Sequence, residues 1–192
     1  FASNKGRYGL MWECPDFFEL DGKGVLLTSP QDMLPEGFEF HNGNGNICII
    51  GGYDDATDSF TEEKVQAVDY GIDYYAMQTV EMVDGRRVMI GWMQNWDTAG
   101  AHDAREPWFG QMALPREISI KDGRLRQWPI KELEDMRSGK VEYKDFEISA
   151  TTDLKDRDSE SIDGAIFLEG INGRCLDLEL EVRPKDSDAM FD

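Results

Sequence analysis

The stretch that decides the fold is Met77-Gln78-Thr79-Val80-Glu81-Met82-Val83, then Asp84-Gly85, then Arg86-Arg87-Val88-Met89-Ile90-Gly91-Trp92. Two runs rich in apolar and β-branched residues flank an Asp-Gly pair, and glycine adopts the positive φ of a tight turn at no steric cost. The spacing predicts an antiparallel hairpin. Gln111 to Ile120, the turn Lys121-Asp122-Gly123, and Arg124 to Trp128 repeat the arrangement. Upstream, Val25 to Ser29 reads as a strand that Pro30 should stop, because proline lacks the amide donor. Asn46 to Tyr53 reads as another strand, after the Asn/Gly-rich turn His41-Asn42-Gly43-Asn44-Gly45. Short strands joined by tight turns, with few helical stretches, predict an all-β sandwich or propeller. No exact internal repeat is visible.

One segment differs. Pro129 to Arg137 places Ile130, Leu133 and Met136 on one stripe, with Pro at its start and Gly139 just past its end, which predicts a short helix. Beyond it aromatic residues thin out, and a domain boundary is expected near residue 138. Alternation returns in Lys140 to Ile148, Ala165 to Glu169 and Cys175 to Val182. In the last, Leu176, Leu178, Leu180 and Val182 share one face, the pattern of a half-buried antiparallel strand.

Charge and composition exclude several classes. The 192 residues hold 20 Lys+Arg against 39 Asp+Glu, a net charge of −19, which opposes binding to a nucleic-acid backbone. Ten Phe, six Tyr and five Trp supply more apolar surface than a disordered acidic tail has. No apolar run reaches the roughly 18–20 residues of a membrane-spanning helix. Cys14, Cys48 and Cys175 are odd in number and lack C-x-x-C spacing, so neither a disulfide framework nor a zinc site is expected. The compartment stays open, with free cysteines tilting the balance slightly toward the cytoplasm. His41 and His102 stand alone and read as surface or loop residues. Asp54-Asp55-Ala56-Thr57-Asp58 lacks the glycine and distal glutamate of a calcium loop and reads as a solvated turn. Phe1-Ala2-Ser3-Asn4-Lys5 does not have the form of a signal peptide, and the chain is expected to begin partway through a longer protein.

The chemistry concentrates in Gly9-Leu10-Met11-Trp12-Glu13-Cys14-Pro15-Asp16-Phe17-Phe18-Glu19-Leu20. Glu13 lies between a Trp and a thiol, and Pro15 biases Cys14 toward an extended backbone. Apolar neighbours disfavour an ionised carboxyl, the adjustment a general acid needs near neutral pH. On the residues alone, a strand-end acid among core aromatics explains the stretch better, because one Glu beside a Trp is common.

Met11 to Phe18 also resembles the glutamate-cysteine-proline signature of glycoside hydrolase family 32, the β-fructofuranosidases: invertase, sucrose-6-phosphate hydrolase, inulinase and levanase. Three further stretches are similar in order: Asp69-Tyr70-Gly71-Ile72-Asp73-Tyr74-Tyr75-Ala76, Gly85 to Trp96, and Pro107 to Glu117. The resemblance implies the later blades of a five-bladed β-propeller over residues 1–138 and part of a C-terminal β-sandwich over 139–192. It implies a retaining hydrolase of terminal β-fructosides, with no metal or organic cofactor and no nucleic-acid or membrane partner. Glu13 takes the role of general acid/base in that resemblance. Trp92 matches an aromatic lining the sugar pocket, although a core role is as good, and Asp69 matches an acid near the leaving-group subsite, although a solvated turn accounts for it nearly as well. Tyr74 and Tyr75 fall on opposite faces of an extended segment, so one can face substrate and the other the core; Tyr75 is carried as the substrate-side residue. Cys14 is expected beside the acid, without a nucleophilic role.

The sequence departs from the family pattern at two places. The tryptophan-methionine-asparagine-aspartate-proline-asparagine-glycine segment that holds the family's nucleophile is absent, as is its arginine-aspartate-proline motif; Arg157-Asp158-Ser159 lacks the proline. The chain is therefore expected to be a C-terminal portion of a family member, inactive by itself and completed by the rest of its catalytic domain. Fructosyl transfer and a non-catalytic fructan-binding module stay open beside hydrolysis. A phosphorylated substrate would need a local basic cluster, for which Arg105 and Arg116 are candidates.

Overall fold

The computed structural model describes residues 4, 6–97, 99–100, 107–108, 110–144 and 169–184. Among the described residues, eight strands form two four-stranded antiparallel sheets in simple meander order. The first holds β1 (Met11–Leu20), β2 (Lys23–Gln31), β3 (Ile47–Asp54) and β4 (Ser59–Ala67). The second holds β5 (Tyr75–Glu81), β6 (Arg87–Trp92), β7 (Arg116–Lys121) and β8 (Arg124–Pro129), and a 3₁₀ helix follows at Lys131–Met136. The chain divides into a unit spanning Phe1–Met136 and a unit spanning Arg137–Asp192.

Turn chemistry fixes the hairpins. Asp122 and Gly123 both take positive φ, 54° and 66°, between the closing pair Lys121 and Arg124. Two residues at positive φ give a turn whose twist matches that of the strands. Asp21 and Gly22, at 50° and 73°, do the same between Leu20 and Lys23. The β5–β6 loop is longer: Glu81 pairs with Arg87, and Gly85, at φ 83°, donates its amide to the Met82 carbonyl at 2.9 Å. The Asp54–Asp58 segment forms the β3–β4 turn, where Asp54 accepts the Ala56 amide at 2.9 Å.

The sheets bury one common face. Val25, Leu27, Cys48 and Ile50 from the first pack with Met77, Met89, Ile118 and Leu125 from the second, and Tyr74 lies among them. Leu26, Ile47 and Ile49 point to the opposite face of the first sheet, beneath Tyr8 and Met33. Covering on both faces makes β2 and β3 continuous apolar runs rather than alternating ones. Cys48 is fully buried, and burial pushes its thiol from 9.0 up to about 12. A raised pKa in the folded state contributes stability that is complete below pH 9 and is lost as pH rises toward 12. Thermal melts of wild type and Cys48→Val should therefore diverge in slope between pH 9 and 10, the wild type falling faster. Parallel curves would contradict this.

Several sequence expectations need correction. Pro30 does not stop its strand; β2 continues to Gln31, with Pro30 opposite Trp12. The last β2–β3 pair is Thr28 with Ile47, so Pro30 has a strand on one side only and its missing donor breaks no second ladder. Gln111 to Pro115 is not strand; Met112 forms one isolated bridge to Trp92, and β7 starts at Arg116. The expected helix is a 3₁₀ helix, which suits apolar residues spaced by three, and none of its residues is buried. Ser59–Ala67 was not anticipated as a strand, because an edge strand with Glu62, Glu63 and Lys64 carries little apolar signal. Cys175 to Val182 is not a strand: Leu176, Leu178 and Leu180 are all at least 65 % exposed. None of the described residues of this second unit is in a strand. Lys140 to Lys144 is likewise irregular, while residues 145–148 and 165–168 lie outside the described residues.

Candidate active site

Two β-bulges build the site. Between Glu13 and Asp16, β1 carries one residue more than the Ser29-to-Leu27 segment it faces, and Cys14 takes φ 49°. Between Tyr75 and Gln78, β5 carries one more than the Trp92-to-Ile90 segment, and Ala76 takes φ 53°. The extended backbone expected for Cys14 is thus not found, because the inserted residue turns into the left-handed region. Bulges kink a strand and re-aim the neighbouring side chains. Here they bind each other: Gln78 Nε2 donates to the Cys14 carbonyl at 3.0 Å, and the Thr79 amide and hydroxyl donate to Asp16 Oδ2 at 2.8 and 2.7 Å.

Glu13 is held from two sides. Its Oε2 accepts from the Tyr75 hydroxyl at 2.8 Å and from Gln31 Nε2 at 2.8 Å. Its backbone carbonyl accepts from Thr28 Oγ1 at 3.0 Å. Among the described residues Oε1 takes no hydrogen bond. Burial, reinforced by Glu13, pushes the Tyr75 hydroxyl up to about 12, so it remains a proton donor throughout the physiological range. The Tyr75 ring meets Trp96 edge-on at 6.0 Å between centroids, and Trp96 meets Trp92 in the same way at 5.7 Å. Trp96 is 49 % exposed and Glu13 half-buried.

The structure thus brings Glu13, Tyr75 and Trp92 together and places Cys14 next to the acid in the bulge. Asp69 is engaged elsewhere, paired with Arg116 Nη1 at 2.7 Å and accepting the Gly71 amide at 2.8 Å. Arg116 also donates to Gln127 at 3.0 Å and lies half-buried, 4.2 Å over the Tyr74 ring. Tyr74 and Tyr75 do separate, the first into the hydrophobic cluster and the second onto Glu13. Arg105 and His102 lie outside the described residues. Among the described residues no three His, Cys, Asp or Glu side chains group as metal ligands. Sequence reading missed Gln31 and Trp96. Gln31 could have been found only through the β1–β2 register, which sets it opposite Met11; Trp96 sits in a stretch already quoted but beyond the strand.

Comparison with known proteins gives the family of the chain. Residues 1–129 match the family description "Glycosyl hydrolases family 32 N-terminal domain". The chain belongs to glycosyl hydrolase family 32. It is 38 % identical over 138 residues to a sucrose-6-phosphate hydrolase of Zymomonas mobilis, covering 71 % of this chain and 27 % of that protein. A sucrose-6-phosphate hydrolase of Staphylococcus xylosus is 31 % identical over 187 residues, covering 97 % of this chain and 37 % of its own length. Among solved structures, the family 32 β-fructofuranosidase of Bombyx mori superposes with a TM-score of 0.61 at 36 % identity, covering 72 % of this chain and 30 % of that one. A mutant of that enzyme in complex with sucrose gives 0.62 at the same identity and coverage. The chain therefore spans roughly a third or less of the length of most of these relatives.

Proposed function

We propose that this chain is the acid/base-bearing part of a retaining β-fructofuranosidase, its two sheets being later blades of a five-bladed propeller and residues 139–192 part of a second domain. The observation that carries the reading is the asymmetry of Glu13: one oxygen clamped by two donors, the other taking no hydrogen bond among the described residues. A carboxyl group anchored through Oε2 gives and takes its proton through Oε1. In a retaining mechanism it would protonate the glycosidic oxygen as a partner carboxylate attacks the anomeric carbon, then take a proton from the water that releases the fructosyl-enzyme. Tyr75 and Gln31 hold the carboxylate in both steps. Trp92 and Trp96 supply apolar faces suited to a sugar ring, and Cys14 provides the bulge that aims the acid. Asp69, held by Arg116, would reach substrate only by exchanging that partner.

The nucleophile is assigned to a part of the protein outside this chain, in keeping with the greater length of its relatives. Sucrose or its 6-phosphate is the substrate that those relatives' names support. The purified 192-residue chain should accordingly release no fructose from sucrose, while the full-length protein does. Turnover by the isolated chain would overturn the division of roles, and an inactive full-length protein would overturn the assignment of activity.

A further inference from the structure

Behind Tyr75 lies a small polar network that no catalytic role has absorbed. Asn46, 4 % exposed at the entrance to β3, accepts from Ser29 Oγ at 2.8 Å and donates Nδ2 to the Tyr74 carbonyl at 2.5 Å. Its own carbonyl accepts the Val68 amide at 3.0 Å, which fixes it to the first sheet. Ser29 is fully buried; its hydroxyl also accepts the Ala76 amide at 3.1 Å, and its carbonyl accepts from the Tyr75 hydroxyl at 3.1 Å. Buried polar groups are costly unless satisfied, so a network with these partners defines one geometry. These bonds hold the backbone on both sides of Tyr75, at Tyr74 and at Ala76. Ala76 sits at positive φ without being glycine, a conformation that surrounding contacts must maintain.

We propose that Asn46 and Ser29 are positioning residues for the acid/base: they hold the β5 bulge in register, and the bulge sets where the Tyr75 hydroxyl meets Oε2 of Glu13. The inference rests on the reading of Glu13 given above. The Tyr75 hydroxyl has a single proton and two acceptors, Glu13 Oε2 and the Ser29 carbonyl. A slip of the Ala76 backbone leaves it on the carbonyl alone, and Glu13 then keeps only Gln31. Neither Asn46 nor Ser29 bonds to Glu13 through its side chain, so any effect on proton transfer must pass through Tyr75.

The test is a double-mutant cycle in the full-length enzyme with Asn46→Ala and Tyr75→Phe, read on sucrose and on an aryl β-fructoside whose leaving group needs no proton. Asn46→Ala should lower kcat on sucrose by about 10- to 100-fold, since misplacement of a catalytic group by about 1 Å has an effect of that order. KM for sucrose should stay within about twofold, and kcat/KM on the aryl substrate should fall much less than on sucrose, because only its second step needs the base. The double variant should be no slower than Tyr75→Phe alone, because the two changes interrupt one chain of contacts. Ser29→Ala carries the same expectation and serves if Asn46→Ala does not fold. Multiplicative losses, or equal losses of kcat/KM on both substrates, overturn the inference while Glu13→Gln still shows its leaving-group dependence. If Glu13→Gln shows none, the reading of Glu13 fails and this inference with it.

Discussion

Glu13→Gln in the full-length enzyme should lower kcat on sucrose by about 10²–10⁴-fold, the usual contribution of a positioned general acid/base. The substitution keeps the size of the side chain and can keep one acceptor oxygen toward Tyr75 and Gln31, so the site remains assembled. What disappears is the exchangeable proton at the open oxygen. An aryl fructoside departs without protonation, and its first step should be nearly unaffected, leaving only slowed attack by water in the second. The two substrates should therefore separate by at least tenfold in kcat/KM, which reports the first irreversible step. Equal losses on both would remove the general-acid role from Glu13.

Leu27→Ala should destabilise the fold by about 2–5 kcal/mol, the cost of a large-to-small change where the core cannot collapse. Leu27 is fully buried, lies opposite Asp16 on one side and Cys48 on the other, and belongs to the cluster shared by both sheets. Domains of this kind have about 5–15 kcal/mol in all, so one truncation consumes a large share. Urea unfolding should show a lower midpoint at unchanged slope. Trp128→Ala, at a residue 75 % exposed, should stay within about 0.5 kcal/mol of wild type in the same experiment. A Leu27→Ala effect as small as that of Trp128 would contradict the shared core.

The hairpins were legible because their signals are local. Asp84-Gly85 and Asp122-Gly123 mark turns by the conformations glycine and aspartate tolerate, and the structure puts positive φ at Gly85 and at both residues of the second pair. The pattern was misread where the deciding contact is distant. Pro30 survives inside β2 only because β3 has already ended beside it. At Gly91 a Cβ would sit 2.7 Å from the Tyr74 ring, another contact that no local pattern reveals. The leucine alternation of 176–180 was clear, but a strand requires a neighbour as well as a pattern.

The site was legible in part. Glu13 was singled out by the motif around it, whereas its partners were not visible in that motif. Tyr75 is 62 residues further along and Gln31 is 18. Their approach depends on bulges at Cys14 and Ala76, and neither residue is the glycine or asparagine that ordinarily announces positive φ. Pro15 even argued for extended backbone at Cys14. Bulges of this kind are specified by the facing strand and by groups such as Asn46 and Ser29, none of which the local pattern reveals.

The most direct test of the account is azide rescue of full-length Glu13→Ala on an aryl β-fructoside. Removing the base leaves the second step slow, and azide, a nucleophile that needs no base, should attack the fructosyl-enzyme in place of water. Turnover should rise with azide concentration and the product should be the β-fructosyl azide, of the same configuration as the substrate. Absence of rescue, or an α-configured azide, would contradict the assignment of Glu13 as acid/base in a retaining reaction.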